Sequence, residues 1–354
     1  MEKVDVLIVG QGLAGTWLSF WLYKAGVSFK LIDQINPDSA SLRAAGLINP
    51  VTGRRLVTTW MIDELMPFAK NAYQEIGNFL EDNFIEEISL IDFFPTVQML
   101  QSFQKRYSED PAYLFPGEER EKYAECFRYD LGWGAIHPCL LVNVEKLLRN
   151  WRIWLKENNY LVENLFDLFR LKEITKELEY SDIRASYLIF CDGQSSAQNP
   201  YFNKLPFALN KGEGLLVEVK NLPADSVYKK GMSLVPCGKN IFWLGSSYEW
   251  SFDNDQPSEK FRKYAEDWLN NNLKLQYSIL DHFASVRPAT LERRPFVGFH
   301  PLHPKMGILN GLGTKGCSLA PYFGKQLVDK IKDEGNINPL ADINRFGRIL
   351  TRLT

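Results

Sequence analysis

The feature that most constrains this chain is a short apolar run near its N terminus, followed by regularly spaced glycines. Residues 4–9 are mostly apolar and β-branched, which predicts a buried strand, and a helical pattern follows the glycines. Gly10 permits a tight turn, Gly12 lets the backbone approach a diphosphate, and Gly15 allows the helix to pack closely on the strand. A diphosphate would then face the helix N terminus, where free amides and the helix dipole favour anions.

A second strand and an acidic residue complete the pattern. Residues 28–32 predict a strand that ends at Asp33, 18 residues after Gly15. A carboxylate at that position can accept hydrogen bonds from ribose hydroxyls, so the sequence predicts a βαβ unit that binds a dinucleotide, NAD or FAD. The predicted cofactor contacts in this unit are Gly10, Gly12, Leu13, Ala14, Gly15, Asp33 and Gln34.

Bulk properties exclude several other classes of function. The 354 residues carry 41 Lys plus Arg against 43 Asp plus Glu, a balance that gives no electrostatic footprint for nucleic acid. Five widely spaced cysteines without a Cys-x-x-Cys pair suit a reducing cytosol, and the four histidines form no metal-ligand pattern, so we expect no metal. Glycines interrupt the N-terminal apolar stretch, and no segment is apolar for about 18 residues. We therefore expect a cytoplasmic protein without a membrane span.

Dinucleotide-type elements recur in the middle and at the end of the chain. Residues 187–190 and 306–310 predict buried strands, and alternating strand and turn signals over 215–248 predict an antiparallel sheet. Residues 132–138 are interpreted as irregular and 39–55 as a loop. The predicted fold class is α/β, a discontinuous Rossmann-like domain with an inserted α+β substrate domain. The predicted division is a nucleotide-binding domain of residues 1–60, 135–205 and 285–354 and a substrate domain of residues 61–134 and 206–284.

Five stretches, in this order and spacing, resemble the flavoprotein superfamily of D-amino-acid oxidase, glycine oxidase and sarcosine oxidase over nearly the whole chain. They are the N-terminal glycine motif with Asp33, residues 42–47 (LRAAGL), residues 134–138 (GAIHP), residues 286–290 (VRPAT) with 295–298 (PFVG), and residues 311–316 (GLGTKG). The resemblance implies FAD as the cofactor. The further FAD contacts that it implies are Arg43, Ala44, Ala45, Gly46, Leu47, Cys191, Asp192, Gly193, Gly311, Leu312, Gly313, Thr314, Lys315 and Gly316.

In that family, the loop of residues 44–47 would lie against the isoalloxazine ring. The glycine loop of residues 311–316 would present backbone amides to the pyrimidine edge of the flavin, where they would stabilise the negative charge that develops on reduction. An ordinary strand-to-helix turn is the alternative interpretation of these glycines.

The resemblance also implies residues that contact the substrate. Arg287 matches an arginine that holds a substrate carboxylate, and a guanidinium can do so with two hydrogen bonds. Lys315 matches a lysine placed beside the flavin and the carboxylate. Arg54 and Arg55 fall near substrate-facing arginines, and His137 is a candidate for facing the cavity. The alternatives are an Arg287–Glu292 ion pair, solvated Lys315, Arg54 and Arg55 side chains, and a packed histidine.

Two positions depart from the family pattern. Cys191-Asp192-Gly193 replaces the usual Ala-Gly, which puts a carboxylate near the cofactor. Ser285 stands near the place where sarcosine oxidases carry the cysteine that attaches FAD covalently, and Cys317 lies in a different loop. Non-covalent FAD is therefore expected.

Together these features predict the oxidation of a small amine or amino acid by hydride transfer to flavin N5, which gives an imine that hydrolyses. Positioning of the substrate would supply much of the rate acceleration. The alternatives are an NAD-dependent dehydrogenase, an accessory subunit with structural FAD, and a flavoprotein acting on an aminomethyl group of modified RNA. The electron acceptor, whether oxygen, a quinone or a carrier protein, stays open.

Overall fold

The fold was obtained as a computed structural model, which describes residues 1–53, 55–174 and 177–352. In chain order the strands are β1 Glu2–Val9, β2 Phe29–Ile32, β3 Leu47–Ile48, β4 Val51–Thr52, β5 Val57–Thr58, β6 Ile85–Phe93, β7 Leu114–Pro116, β8 Trp133–Val142, β9 Leu161–Val162, β10 Leu171–Glu173, β11 Leu178–Tyr180, β12 Ile183–Phe190, β13 Asn210–Val219, β14 Ser226–Lys230, β15 Met232–Gly238, β16 Ile241–Gly245, β17 Tyr277–Arg287, β18 Phe296–Phe299 and β19 Met306–Asn310. The α-helices are α1 Leu13–Lys24, α2 Ile62–Phe79, α3 Val97–Glu109, α4 Val144–Glu157, α5 Glu259–Asn272, α6 Gly316–Ile331 and α7 Gly347–Leu350. Short 3₁₀ helices span Leu168–Arg170, Gly193–Ala197 and Ile343–Phe346.

The first sheet carries the predicted nucleotide-binding elements. Strand β1 lies between β2 and β12, and all three run parallel. Strand β19 pairs in parallel with β12, and β9 does so with β2. Because parallel strands end at the same edge of a sheet, the turns after β1, β2, β12 and β19 meet there. In open parallel sheets this edge is where ligands bind.

The second sheet is mostly antiparallel. Its strand order is β17-β13-β16-β15-β14-β6-β8-β3, and β7 pairs with the outer part of β8. The long pairing of β13 with β17 places residue 210 opposite residue 287. In the sequence, residue 210 follows β12 and residue 287 precedes β18, and both of these strands belong to the first sheet. The end of β17 that carries Arg287 therefore lies in the same region as the glycine turn.

Helix α1 packs at the centre of the main hydrophobic core. Trp17, Leu18 and Phe20 have no exposed surface, and they pack with residues of α2, α4 and α6. Each side chain of this size stabilises the fold by about 1.5 to 3 kcal/mol through burial. The helix that follows the glycine turn is therefore held rigidly, and the turn with it.

The structure confirms the predicted α/β class and the antiparallel second sheet. Residues 132–138 were expected to be irregular, but residues 133–138 belong to β8. Glycine at position 134 makes room for Phe103 in that strand, since a Cβ there would lie 2.4 Å from the Phe103 ring. Strands β3 and β4 likewise interrupt the expected loop of residues 39–55.

The predicted division into domains stays a prediction. The pairing of strands differs from it at β8, since residues 135–142 of this strand were assigned to the nucleotide-binding part but pair with β6 in the second sheet. Helix α2, assigned to the substrate part, shares the hydrophobic core of α1 and α6.

Candidate active site

The glycine turn after β1 has the close contacts that the sequence predicts. Gly10 has a φ of +96°, and a Cβ there would lie 2.6 Å from the carbonyl oxygen of Cys191. A Cβ at Gly15 would lie 1.8 Å from the carbonyl oxygen of Gly10, so α1 packs against the turn after β1 at a distance that only glycine allows. Gly12 is the N-cap of α1 and gives it no side-chain cap. The amide of Leu13 donates to the Ser41 hydroxyl at 3.1 Å, so the next amides of α1, those of Ala14 and Gly15, are the ones that an anion can use.

Asp33, at the end of β2, is held by two donors. Its Oδ1 accepts from the backbone amide of Gln11 at 2.9 Å, and its Oδ2 accepts from Nη1 of Arg152 at 2.6 Å. The same Nη1 also donates to Oε1 of Gln11 at 3.0 Å. Each carboxylate oxygen can accept a second hydrogen bond, so Asp33 is fixed in place and still able to bind ribose hydroxyls. Arg152 lies on α4, 119 residues away, and sequence reasoning missed it.

A cavity of about 490 Å³ runs from this turn to the second sheet. The residues that line it include many of the site residues predicted from the sequence: Gly10, Gly12, Leu13, Ala14, Asp33, Gln34, Arg43, Ala44, Ala45, Gly46, Leu47, Cys191, Asp192, Gly193, Arg287, Leu312, Gly313, Thr314 and Gly316. Lining residues that the sequence did not indicate include Ser41, Asn164, Leu165, Phe166, Gly212, Trp243, Phe283 and Pro288. The residues that the sequence assigns to the two ends of one ligand therefore share one continuous space.

Two loops line the middle of the cavity. Gly46 has a φ of +79°, and a Cβ there would lie 2.0 Å from the carbonyl oxygen of Val142, so the loop of residues 44–47 lies directly against the end of β8. In the C-terminal glycine loop the amide of Gly313 donates to Pro288 at 3.1 Å. The amides of this loop that remain for a ligand are those of Leu312, Thr314 and Gly316, which line the cavity.

Arg287 lies at the opposite end from the glycine turn. Its Nη1 donates to Oδ1 of the buried Asn210 at 2.8 Å and to the carbonyl of Ser247 at 3.2 Å. The guanidinium carbon lies 5.0 Å from the centre of the Tyr248 ring, and a Cβ at Gly212 would lie 1.9 Å from Nη2. Gly212 thus leaves the space that the guanidinium occupies. Burial lowers the pKa of Arg287, because the charged group has lost water.

The Arg287–Glu292 ion pair, the alternative to a substrate-binding role, does not form. Glu292 instead accepts from Nε of Arg345 at 3.1 Å. Within the part of the chain that the structure describes, Arg287 has no carboxylate partner, which leaves a desolvated positive charge on the cavity wall. Such a charge is costly unless an anion accompanies it.

Several predicted site residues do not line the cavity. They are Gly15, Gly311, Lys315, Arg55 and His137. Gly15 and Gly311 instead allow close packing behind the two turns. A Cβ at Gly15 would lie 1.8 Å from the Gly10 carbonyl oxygen, and a Cβ at Gly311 would lie 2.6 Å from the Thr290 side chain. Arg54 lies outside the described residues.

The three charged residues in this group have other surroundings. Lys315 is half-buried and is the N-cap residue of α6, without a hydrogen bond from its side chain to the helix. Burial lowers the pKa of Lys315 most, and the positive charge of Arg294 lowers it further. Arg55 is exposed in the turn before β5. His137 lies on β8, where its Nδ1 is 3.1 Å from the Ser89 hydroxyl and its Nε2 is 3.4 Å from Glu87. None of these three residues is in contact with the cavity in which the substrate would bind.

The cavity suits FAD by its donors and its shape. Glycines at positions 10 and 12 leave backbone approachable at the α1 N terminus, Asp33 offers ribose acceptors, and the loops at Gly46 and Gly313 also line the cavity. Cys317 also lines the cavity, and burial raises the pKa of its thiol to about 12, so the thiol is protonated.

Among the described residues, we find no cluster of His, Cys, Asp and Glu that could hold a metal ion. None of the helices described combines the length and apolar character needed to cross a bilayer.

Comparison with known proteins identifies the family. The model of the FAD-dependent oxidoreductase family matches residues 5–330. Glycine oxidase from Geobacillus kaustophilus is 18% identical, with a TM-score of 0.81 and complete coverage of both chains. L-proline dehydrogenase from P. horikoshii is 14% identical with a TM-score of 0.77, and 98% of each chain is covered.

A third structure was solved with its cofactor. L-α-glycerophosphate oxidase from Mycoplasma pneumoniae with FAD bound is 13% identical, with a TM-score of 0.70 and coverage of 96% of this chain and 97% of that one. At these identities the likeness shows the fold, whereas the family model spans most of the chain. The match rules out the NAD-dependent alternative and agrees with the glycine turn, Asp33 and the two flanking loops. The chain belongs to the FAD-dependent oxidoreductase family and is an FAD-dependent enzyme.

Proposed function

We propose that the protein oxidises a small amino acid, or another small amine that bears a carboxylate, at the carbon next to nitrogen. The observation that carries this proposal is Arg287, a partly desolvated guanidinium on the cavity wall without a carboxylate partner among the described residues. Its described hydrogen bonds both use Nη1, which leaves Nη2 for a ligand. A substrate carboxylate would supply the missing negative charge.

The neighbours of Arg287 hold the guanidinium in one orientation. Asn210 is opposite Arg287 in the β13–β17 pairing, and Tyr248 covers the guanidinium from the loop after β16. A carboxylate bound here would be fixed relative to the loops at Gly46 and Gly313, which line the same cavity. Fixing the substrate in this way converts binding into positioning of the bond that breaks.

The reaction breaks the carbon–hydrogen bond next to nitrogen, and loss of the hydride leaves an iminium ion, the protonated imine, which water hydrolyses. Bound FAD supplies the acceptor for the two electrons and the hydrogen. The chain is not required to supply a base, because a substrate bound with its nitrogen neutral has no proton to lose before the bond breaks. Glu213 is a carboxylate of the cavity lining on the same strand as Asn210. It accepts a hydrogen bond from Ser258 and lies 3.0 Å from His282, so its oxygens already have partners within the protein.

The structural neighbours support an amino acid without deciding it. Two of them are a glycine oxidase and an L-proline dehydrogenase, and the third is a glycerophosphate oxidase. One fold thus serves substrates of different chemistry, and function must be argued from the site. Arg287 therefore carries more weight here than the likeness of the fold.

A matched pair of substrates tests the role of the carboxylate. An amino acid that reduces the flavin should lose most of its reactivity when its carboxylate is replaced by the uncharged amide. Loss of a charge-assisted hydrogen bond costs about 1.5 to 3 kcal/mol, roughly 10- to 150-fold in kcat/KM. Stopped-flow flavin reduction with each member of the pair measures this ratio. Equal rates for acid and amide would contradict the proposal.

A further inference from the structure

The cavity is lined by four carboxylates in the described part of the chain, and they differ in how they are neutralised. Asp33 is paired with Arg152 at 2.6 Å and Asp38 with Arg43 at 2.9 Å. Glu213 lies 3.6 Å from Lys211 and 3.0 Å from His282. Asp192 forms no ion pair with any of the described residues. It is therefore the one carboxylate of the cavity wall without a cation.

Asp192 occupies a position where a negative charge conflicts with the cofactor. It follows β12, and a Cβ at Gly10 would lie 3.1 Å from the Cα of Asp192, so its backbone touches the glycine turn. The amides of that turn and of the α1 N terminus attract the FAD diphosphate. An ionised Asp192 beside a bound diphosphate would be a like-charge contact in a buried place, which is unfavourable.

The groups that face the Asp192 carboxyl are neutral. Ser196, on the 3₁₀ helix Gly193–Ala197, donates its hydroxyl to Oδ1, and Nδ2 of Asn310 at the end of β19 lies 3.5 Å from the same oxygen. On β12 the titratable neighbour is Cys191, whose pKa burial raises well above its ordinary value, and the turn after β1 presents the backbone of Gly10. Burial raises the pKa of Asp192 from its ordinary value of 3.8 to about 6, and the Ser196 bond opposes this.

We propose that Asp192 binds FAD in its protonated form, so that cofactor binding at neutral pH takes up one proton from water. The neutral carboxyl keeps its hydrogen bonds to Ser196 and Asn310, and its own hydrogen becomes available for an anionic or hydroxyl acceptor in the cavity. Ionisation of Asp192 would place an unpaired negative charge next to the diphosphate and would favour release.

The sign of the pH dependence follows from linkage. Below the pKa of Asp192 in the FAD-free protein, the carboxyl is already neutral and affinity is constant. Above it, each binding event must bring a proton, so the dissociation constant rises with pH by at most about tenfold per unit. The rise stops at the higher pKa of the loaded protein. Between pH 5.5 and 8.5 the expected total rise is roughly 10- to 100-fold.

The test is the release of FAD from diluted holoenzyme, followed by the fluorescence of free flavin at pH values from 5.5 to 8.5. Wild type should show the rise in dissociation constant, and Asp192→Asn, which keeps the shape and removes the ionisation, should show a flat profile. Asp38→Asn is the matched control, since Asp38 is paired with Arg43 and its removal should leave the wild-type slope in place.

A second variant covers a failure of Asp192→Asn to fold. Ser196→Ala removes the bond that favours the ionised carboxylate, so the pH at which affinity begins to fall should move upward. The same slope in wild type and Asp192→Asn, an affinity that increases with pH in wild type, or an unmoved midpoint in Ser196→Ala would each overturn the proposal.

Discussion

Replacing Arg287 by alanine is expected to lower kcat/KM for a carboxylate-bearing substrate by roughly 30- to 5000-fold. The guanidinium is partly desolvated on the cavity wall and has no carboxylate partner among the described residues. Removing one partner of a buried charge pair costs about 2 to 5 kcal/mol, because the substrate carboxylate would then enter the cavity unpaired. Steady-state kinetics of purified holoenzyme with the best amino acid from a substrate panel measures the loss.

Two control variants separate binding from damage to the fold. Arg287→Lys keeps the charge but not the planar fork, so it should recover part of the activity. Arg262→Ala removes an arginine that pairs with Glu266 on the surface of α5, and it should leave kinetics unchanged. Full activity of Arg287→Ala with intact FAD content would remove the assigned role.

Replacing Gly12 by valine is expected to yield a folded chain that has lost FAD. A Cβ at this position would lie 2.9 Å from the Ser41 hydroxyl, and the rest of the side chain would occupy the approach to the α1 amides. Loss of two charge-assisted hydrogen bonds to the diphosphate costs about 3 to 6 kcal/mol, at least roughly 100-fold in affinity. The ratio of flavin to protein absorbance after purification reports the cofactor content.

The matched control is Gly347→Val, at a glycine where an added Cβ meets nothing within 4 Å. This variant should keep wild-type FAD content. Far-ultraviolet circular dichroism should show the same helix content for both variants. Wild-type flavin content in Gly12→Val would contradict the placement of the diphosphate at this turn.

Local signals explain why the first βαβ unit could be predicted closely. The strand predicted at residues 4–9 is Glu2–Val9 and the one predicted at 28–32 is Phe29–Ile32. Apolar runs and the glycine turn act over a few residues, and a window of sequence contains them completely. Gly10, Gly12 and Asp33 accordingly lie where their spacing predicts.

Contacts between distant segments explain what the sequence did not show. Arg152 reaches Asp33 from a helix 119 residues away, and Gly212 makes room for Arg287 because β13 and β17 pair. Nothing near Arg152 or Gly212 in the sequence marks either role. Residues 133–138, the first part of β8, were predicted to be irregular because Gly134 and Pro138 are turn residues by local preference, whereas pairing with β6 makes them a strand.

The polar groups lining the cavity were only partly predictable. The sequence left the Arg287–Glu292 ion pair open, and the structure pairs Glu292 with Arg345 instead. Arg345 reaches Glu292 because the 3₁₀ helix Ile343–Phe346 lies beside β18, where Asp342 pairs with Val297. Whether a given arginine is paired or free to bind a ligand is thus decided by tertiary structure.

The central claim is that this cavity holds FAD non-covalently and that a small amine or amino acid bound at Arg287 reduces it. The most direct measurement is an anaerobic absorbance titration of purified holoenzyme with a panel of amino acids and N-methylated amines. The account predicts that at least one carboxylate-bearing member bleaches the visible absorbance of the flavin, and that FAD is released intact when the protein is denatured. A purified protein without flavin, or flavin that dithionite bleaches but no member of the panel reduces, would contradict it.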